Sequence, residues 1–161
     1  MYTMPNDPAV ILIVDGDPLT LTGMAATLDI AGYECHCARD DEAAKKAARE
    51  IRLDLIVCDV KVGSRSGLEL ARELRLDYGK DIPVMFVTSE QDPDIVQRVH
   101  DAGGEYYLRK PIDPEVLVEL VGKALWMPHL VQARFEPKET EGAPRPAGRS
   151  NKAGRGHQSS V

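Results

Sequence analysis

The chain has 161 residues, with 26 acids against 20 bases, 43% hydrophobic residues, three cysteines and one tryptophan. That length suits one domain of ordinary size with a remainder. The net charge of −6 and pI near 5.2 argue against a chain built to coat nucleic acid or an anionic membrane. No apolar run approaches the roughly 18 residues of a membrane span, and the first residues lack the basic start and apolar core of a signal peptide. The odd cysteine count without framework spacing fits a reducing compartment. A cytoplasmic protein without a membrane segment is expected.

In chain order, five strand-like runs alternate with five helical ones. Ala9–Val14, Tyr33–Cys37, Asp54–Cys58, Pro83–Val87 and Glu105–Leu108 are short and rich in branched and aromatic residues. After the first run, Asp17-Pro18 has the form of an N-cap and a first-turn proline; Leu21, Met24 and Leu28 mark one face, and Gly32 ends the helix. Asp40–Glu50 is alanine-rich and helix-prone. Leu68–Tyr78 places Leu70, Ala71 and Leu74 on one face. Asp92-Pro93 is expected to start a fourth helix with Ile95, Val96 and Val99 inward, closed by Gly103-Gly104. Asp113-Pro114 starts the last, with Val116, Leu117, Leu120, Val121 and Leu125 as its stripe. The apolar groups of Trp126-Met127-Pro128-His129-Leu130 are expected at its end.

Residues 1–8 are taken as an N-terminal extension, 9–127 as the domain and 128–161 as a C-terminal extension. Residues 137–161 hold five bases and two acids, concentrate Gly, Pro and Ser, and contain no leucine, isoleucine or aromatic residue. Such a segment buries too little apolar surface to offset the entropy of ordering, so disorder is expected from about residue 137.

The first, third and fourth strands are near-continuous apolar runs, the pattern of parallel strands covered by helices on both faces. Strict alternation then gives a doubly wound α/β domain, whose functional crevice lies outside the carboxyl ends of the strands. Those ends are polar. The first runs into Asp15-Gly16-Asp17, the third ends at Asp59, the fourth at Thr88-Ser89 and the fifth at Arg109-Lys110-Pro111. One aspartate after a strand is usually a turn former or cap. Acid, acid, hydroxyl and lysine at four ends of one crevice is a different matter.

Here the sequence resembles the receiver family of two-component response regulators. The matching pieces are Ile11-Leu12-Ile13-Val14-Asp15, Asp54-Leu55-Ile56-Val57-Cys58-Asp59, Gly67-Leu68-Glu69-Leu70, Pro83–Ser89 and Ala102–Pro111, together covering about residues 9–125. The resemblance implies a flavodoxin-like (βα)5 fold with strand order 2-1-3-4-5. It implies Asp59 as phosphoacceptor and Mg²⁺ held by Asp15, Asp59 and the Lys61 backbone carbonyl. It further implies Lys110 and Thr88 as partners of the phosphoryl group, with Thr88 and Tyr107 as the switch read on the helix 4–strand 5–helix 5 face. The implied partners are a histidine kinase or phosphotransfer protein, a downstream effector and, through that same face, a second copy of the chain.

Three departures stand out. Receivers end the first strand with two adjacent acids; here the second is Gly16, which puts Mg²⁺ affinity in doubt, since Asp17 is expected to serve as the helix cap. The loop after Asp59 reads Val62-Gly63-Ser64-Arg65-Ser66-Gly67, without the usual proline and acid, and is expected to be more mobile. Lys61 stands two residues past Asp59. It is expected to be a solvated lysine, to pair with Glu90 across the pocket mouth, or to reach Asp59.

Cys35-His36-Cys37 resembles half a metal site, but alternation sends His36 to the opposite face and no second cluster completes it, so core packing is expected of the cysteines. Cys58 is expected to be a small core residue, and His100 a surface one. The leading functional reading is a stand-alone receiver that does not bind DNA itself. A phosphorylation-independent pseudo-receiver acting as an interaction module is the alternative. A hydrolase on the same fold lacks a phosphate-cradling glycine loop and ranks last.

Overall fold

The computed structural model describes residues 7–79 and 81–134, with side chains as far as 126. The five longer strands are β1 (Val10–Val14), β2 (Glu34–Ala38), β3 (Leu55–Asp59), β6 (Val84–Thr88) and β7 (Tyr106–Arg109). They form one parallel sheet in the order β2-β1-β3-β6-β7, which is 2-1-3-4-5 when these strands alone are counted. Between them run α1 (Pro18–Ile30), α2 (Asp41–Glu50), α3 (Gly67–Tyr78) and α4 (Ile95–Asp101), and α5 (Pro114–Arg134) follows. The expected α/β class and strand order are those observed.

Residues alternate between two cores because successive side chains of a strand point to opposite faces. On β1, Leu12 and Val14 join Ile56, Cys58 and Phe86 beneath α2, α3 and α4, whereas Ile11 and Ile13 join Leu55, Val57 and Met85 beneath α1 and α5. Every residue of β3 and β6 is buried, as expected for central parallel strands.

Each of the five strands begins one residue later than expected, and all but β1, which ends at Val14 as expected, take in one residue more at the far end. Ladder pairing sets these ends: Asp59 pairs with Val87 and Thr88 with Arg109, so both polar residues are the last members of their strands. Asp17 caps α1, accepting from the Leu19 N–H at 3.3 Å and the Thr20 hydroxyl at 2.7 Å.

The fourth helix departs from expectation. Asp92-Pro93 does not start it; these residues open a turn in which the Ile95 N–H donates to the Asp92 carbonyl, and α4 begins at Ile95 with no side-chain cap. Ile95 and Val99, four residues apart, fill the inward stripe, which leaves Val96 54% exposed.

The stretch after Asp59 is a short antiparallel ribbon, β4 (Lys61–Val62) with β5 (Arg65–Ser66). It is fastened rather than loose. Val62 is buried, and the Arg65 guanidinium bridges Asp41 of α2 at 2.7 Å and Glu73 of α3. Helix α5 continues through Pro128 to Arg134. The segment expected to be disordered from about 137 lies outside the described residues.

Candidate functional site

Parallel strands all deliver their carboxyl ends to one edge, and there Asp15, Asp59, Thr88 and Lys110 meet. Asp15 follows β1 and is 1% exposed; Asp59 and Thr88 end β3 and β6 and are also buried. Lys110 follows β7, its backbone N–H donating to the Thr88 carbonyl at 2.9 Å. Its ammonium nitrogen stands 2.9 Å from Asp15 Oδ2 and 3.0 Å from Asp59 Oδ2. The Asp59 contact is a directed hydrogen bond. That to Asp15 is ionic and off the hydrogen-bond axis, so Asp15 Oδ2 is a buried oxygen without a directed donor.

The other carboxylate oxygens are held by backbone. Asp15 Oδ1 accepts from the Asp17 N–H at 2.9 Å, and Asp59 Oδ1 from the Lys61 N–H at 3.2 Å. Burial pushes the Asp15 carboxyl above its ordinary range, against the pull of the Asp17 N–H and the Lys110 ammonium. For Lys110, burial disfavours the charged form, but the close carboxylates of Asp15 and Asp59 outweigh it and hold its pKa above the ordinary value. The ammonium is therefore a fixed positive charge at the floor of an acidic crevice.

Thr88 Oγ1 accepts the Glu90 N–H at 2.8 Å, which leaves its own hydroxyl proton to donate. Tyr107, half-buried, pairs in register with Phe86 and packs against the core under α3 and α4. Glu90 does not meet Lys61. Its carboxylate bonds Arg98 of α4 at 3.3 Å, and Arg98 also has Asp92 at 3.9 Å, so two acids of the β6–α4 loop compete for the guanidinium. The Lys61 side chain is exposed on the ribbon, and it is Lys110 that reaches Asp59.

A hard cation fits the donors present, in reduced number. Asp15 Oδ2 is a buried, under-used oxygen beside a second carboxylate, the chemistry Mg²⁺ selects, with waters completing its shell. Among the described residues no group of three His, Cys, Asp or Glu side chains gathers to hold a metal, because Gly16 contributes none.

Gly67 was legible only as a family match; the structure supplies its reason. A Cβ there would stand 1.7 Å from the Asp59 carbonyl oxygen, so only hydrogen fits where α3 starts against the end of β3. In the sequence Arg65 reads as a loop residue, and its bridge to two helices carries no sequence signal, since Asp41 and Glu73 lie 24 and 8 residues away. Core packing does not hold for every cysteine. Cys35 packs against the α1/α5 core, but Cys37 is exposed because β2 is an edge strand, and His36 bonds Glu34 at 2.7 Å. Cys58 is buried and His100 exposed, as expected.

The comparisons agree with this geometry. The phosphate regulon transcriptional regulatory protein PhoB of Pseudomonas aeruginosa is 35% identical over 109 residues, 67% of this chain and 48% of its own. The DNA-binding response regulator MtrA of Mycolicibacterium smegmatis is 32% identical over 111 residues, 69% of this chain and 48% of its own. The chain thus spans about half the length of the curated relatives it matches. The chemotaxis protein CheY4 of Vibrio cholerae superposes with a TM-score of 0.69 at 30% identity, over 73% of this chain and 99% of that one. A response regulator from Burkholderia pseudomallei, solved with a phosphorylated aspartic acid, a calcium ion and citrate, gives 0.64 at 26% identity, over 84% and 75%. Since the model of the response regulator receiver domain matches residues 11–122, the chain belongs to that family of two-component signalling, a signalling module rather than a catalytic enzyme.

Proposed function

We propose that Asp59 accepts a phosphoryl group from a histidine kinase or phosphotransfer protein in the cytoplasm. The observation that carries this reading is the Lys110 ammonium 3.0 Å from Asp59 Oδ2, with Thr88 at the end of the neighbouring strand. An Asp59 oxygen attacks phosphorus; the donor's bond to phosphorus breaks, and its electron pair leaves with the donor. Lys110 supplies positive charge to the phosphoryl oxygens, and Thr88 donates its free hydroxyl proton. Asp15, Asp59 and the Lys61 carbonyl would hold Mg²⁺, which when bound offsets the charge of the carboxylates and the incoming phosphoryl group.

Moving the Thr88 hydroxyl onto phosphate gives up its bond from the Glu90 N–H and frees space beside Tyr107. The face of α4, β7 and α5 then changes for an effector or a second copy of the chain. Val96 and Trp126 already present exposed apolar surface on α4 and α5. That the Burkholderia relative was solved with a phosphorylated aspartic acid supports the reading. A phosphorylation-independent interaction module is the second reading, favoured by Gly16 in place of an acid.

Intact-protein mass after incubation with acetyl phosphate, with and without Mg²⁺, tests the proposal beside Asp59→Asn. A magnesium-dependent phosphoryl adduct absent from the variant is expected. A folded wild-type protein that takes no adduct from acetyl phosphate or from a phosphorylated histidine phosphotransfer protein would turn the choice to the interaction module.

A further inference from the structure

Gly16 has no conformational reason to be glycine: its backbone lies outside the left-handed region. What a side chain there would meet is the ribbon. A Cβ on Gly16 would stand 3.3 Å from the Gly63 nitrogen, 4.0 Å from its Cα and 3.9 Å from the Arg39 carbonyl oxygen. The first distance is tight enough that the tip must yield a few tenths of an ångström. Whether it can yield depends on what holds the ribbon.

The ribbon is held on both strands. Val62 of β4 is 3% exposed in the core, and the Gly67 N–H closes the base onto the Val60 carbonyl at 2.7 Å. Arg65 of β5 extends its fork to Asp41 and Glu73, and Lys45 adds a contact to Glu73 at 3.2 Å. A planar guanidinium spanning two carboxylates on two helices fixes direction as well as distance, which a lysine cannot do. The same ribbon places the Lys61 N–H on Asp59 Oδ1.

We propose that Gly16 and Arg65 form a matched pair: Arg65 fastens the ribbon so that its tip occupies the space a side chain at 16 needs, and a third carboxylate enters the pocket only when that fastening is released. Arg65 is thus a positioning residue for the cation site, acting through Gly63 and Lys61. The inference concerns the cation affinity of the acid pocket and deepens the receiver reading without requiring phosphoryl transfer.

The test is a Mg²⁺ titration by calorimetry on the full chain, in wild type, Gly16→Asp, Arg65→Ala, the double variant and Arg65→Lys. Gly16→Asp alone is expected to change Kd by less than about threefold, whereas in the Arg65→Ala background it tightens Kd by about tenfold or more, a coupling of the size neighbouring groups show. Arg65→Lys should behave as Arg65→Ala. Equal tightening by Gly16→Asp in both backgrounds would overturn the pairing.

Hydrogen exchange provides an arm that stands whether or not any variant binds Mg²⁺ or takes up phosphate. Gly16→Ala adds the Cβ without a charge. It should speed exchange of the amides of residues 61–67 at least about fivefold while the sheet stays protected, as local opening allows. Unchanged exchange there would equally overturn the proposal. Because neither readout involves phosphorylation, their failure is distinct from a failure of Asp59 to accept phosphate.

Discussion

Two ionic clusters flank the ribbon after β3, and burial separates what they can do. In the first, Lys110 sits between Asp15 and Asp59, with side-chain exposures of 17%, 1% and 12%. In the second, Arg65 and Lys45 meet Asp41 and Glu73 at exposures of 26% to 43%. Water screens the second, so its contribution is mainly geometric, the fixing of a ribbon to two helices. In the first, each charge depends on the others, because a buried carboxylate without a partner is costly. A cluster with two acids and one base is also tuned to receive further positive charge, which the balanced surface cluster is not.

The largest expected perturbation strikes the join between the two. Gly67→Ala forces a methyl group against the Asp59 carbonyl, where a Cβ would stand 1.7 Å away. A loss of more than about 3 kcal/mol in urea unfolding is expected, since β3 and the start of α3 must part. A loss below about 1 kcal/mol would mean that this junction is pliable.

Smaller effects separate the clusters themselves. Lys110→Met leaves Asp15 buried without a cation and should cost about 2–4 kcal/mol, nearly unchanged by 1 M salt. Arg65→Ala should cost about 1 kcal/mol or less, and salt should erase most of that. Urea unfolding at two ionic strengths measures both, and equal salt sensitivity would abolish the distinction drawn here.

The smallest perturbation is read by thiol chemistry, since only thiolates react. Burial pushes the Cys35 thiol up to about 11, with the Cys37 charge adding to it, and burial raises the exposed Cys37 as well. Burial, then the charges of Asp59 and Asp15, raises Cys58 much further. Raised pKa values mean protonated thiols near neutrality. Iodoacetamide at pH 8 should therefore label Cys37 first and Cys35 slowly, with the Cys35 rate climbing about tenfold per pH unit towards its pKa. Cys58, whose thiol donates to the Asp59 carbonyl at 3.3 Å, should react only on unfolding. Faster labelling of Cys58 in folded Lys110→Met would show that the buried cluster also guards the end of β3.

Much of this protein is local in the sequence. The apolar runs at Ile11–Val14 and Leu55–Cys58, the cap at Asp17, and the spacing of Asp15, Asp59, Thr88 and Lys110 follow from period, propensity and the rule that parallel strands end together. Other features rest on contacts between distant segments, and tertiary structure alone decided them. Val96 faces solvent because Ile95 and Val99 take the inward stripe of α4. Glu90 turns to Arg98 rather than Lys61 because the β6–α4 loop folds back over its own helix. The loop after Asp59, which by composition should be mobile, is a ribbon because Asp41 and Glu73, 24 and 8 residues away in sequence, both lie within reach of Arg65. Periodicity reports which face a residue takes on its own element. It carries no information on which carboxylate a guanidinium finds across two helices, or on the 3.3 Å that separates a missing side chain at Gly16 from the tip of a ribbon.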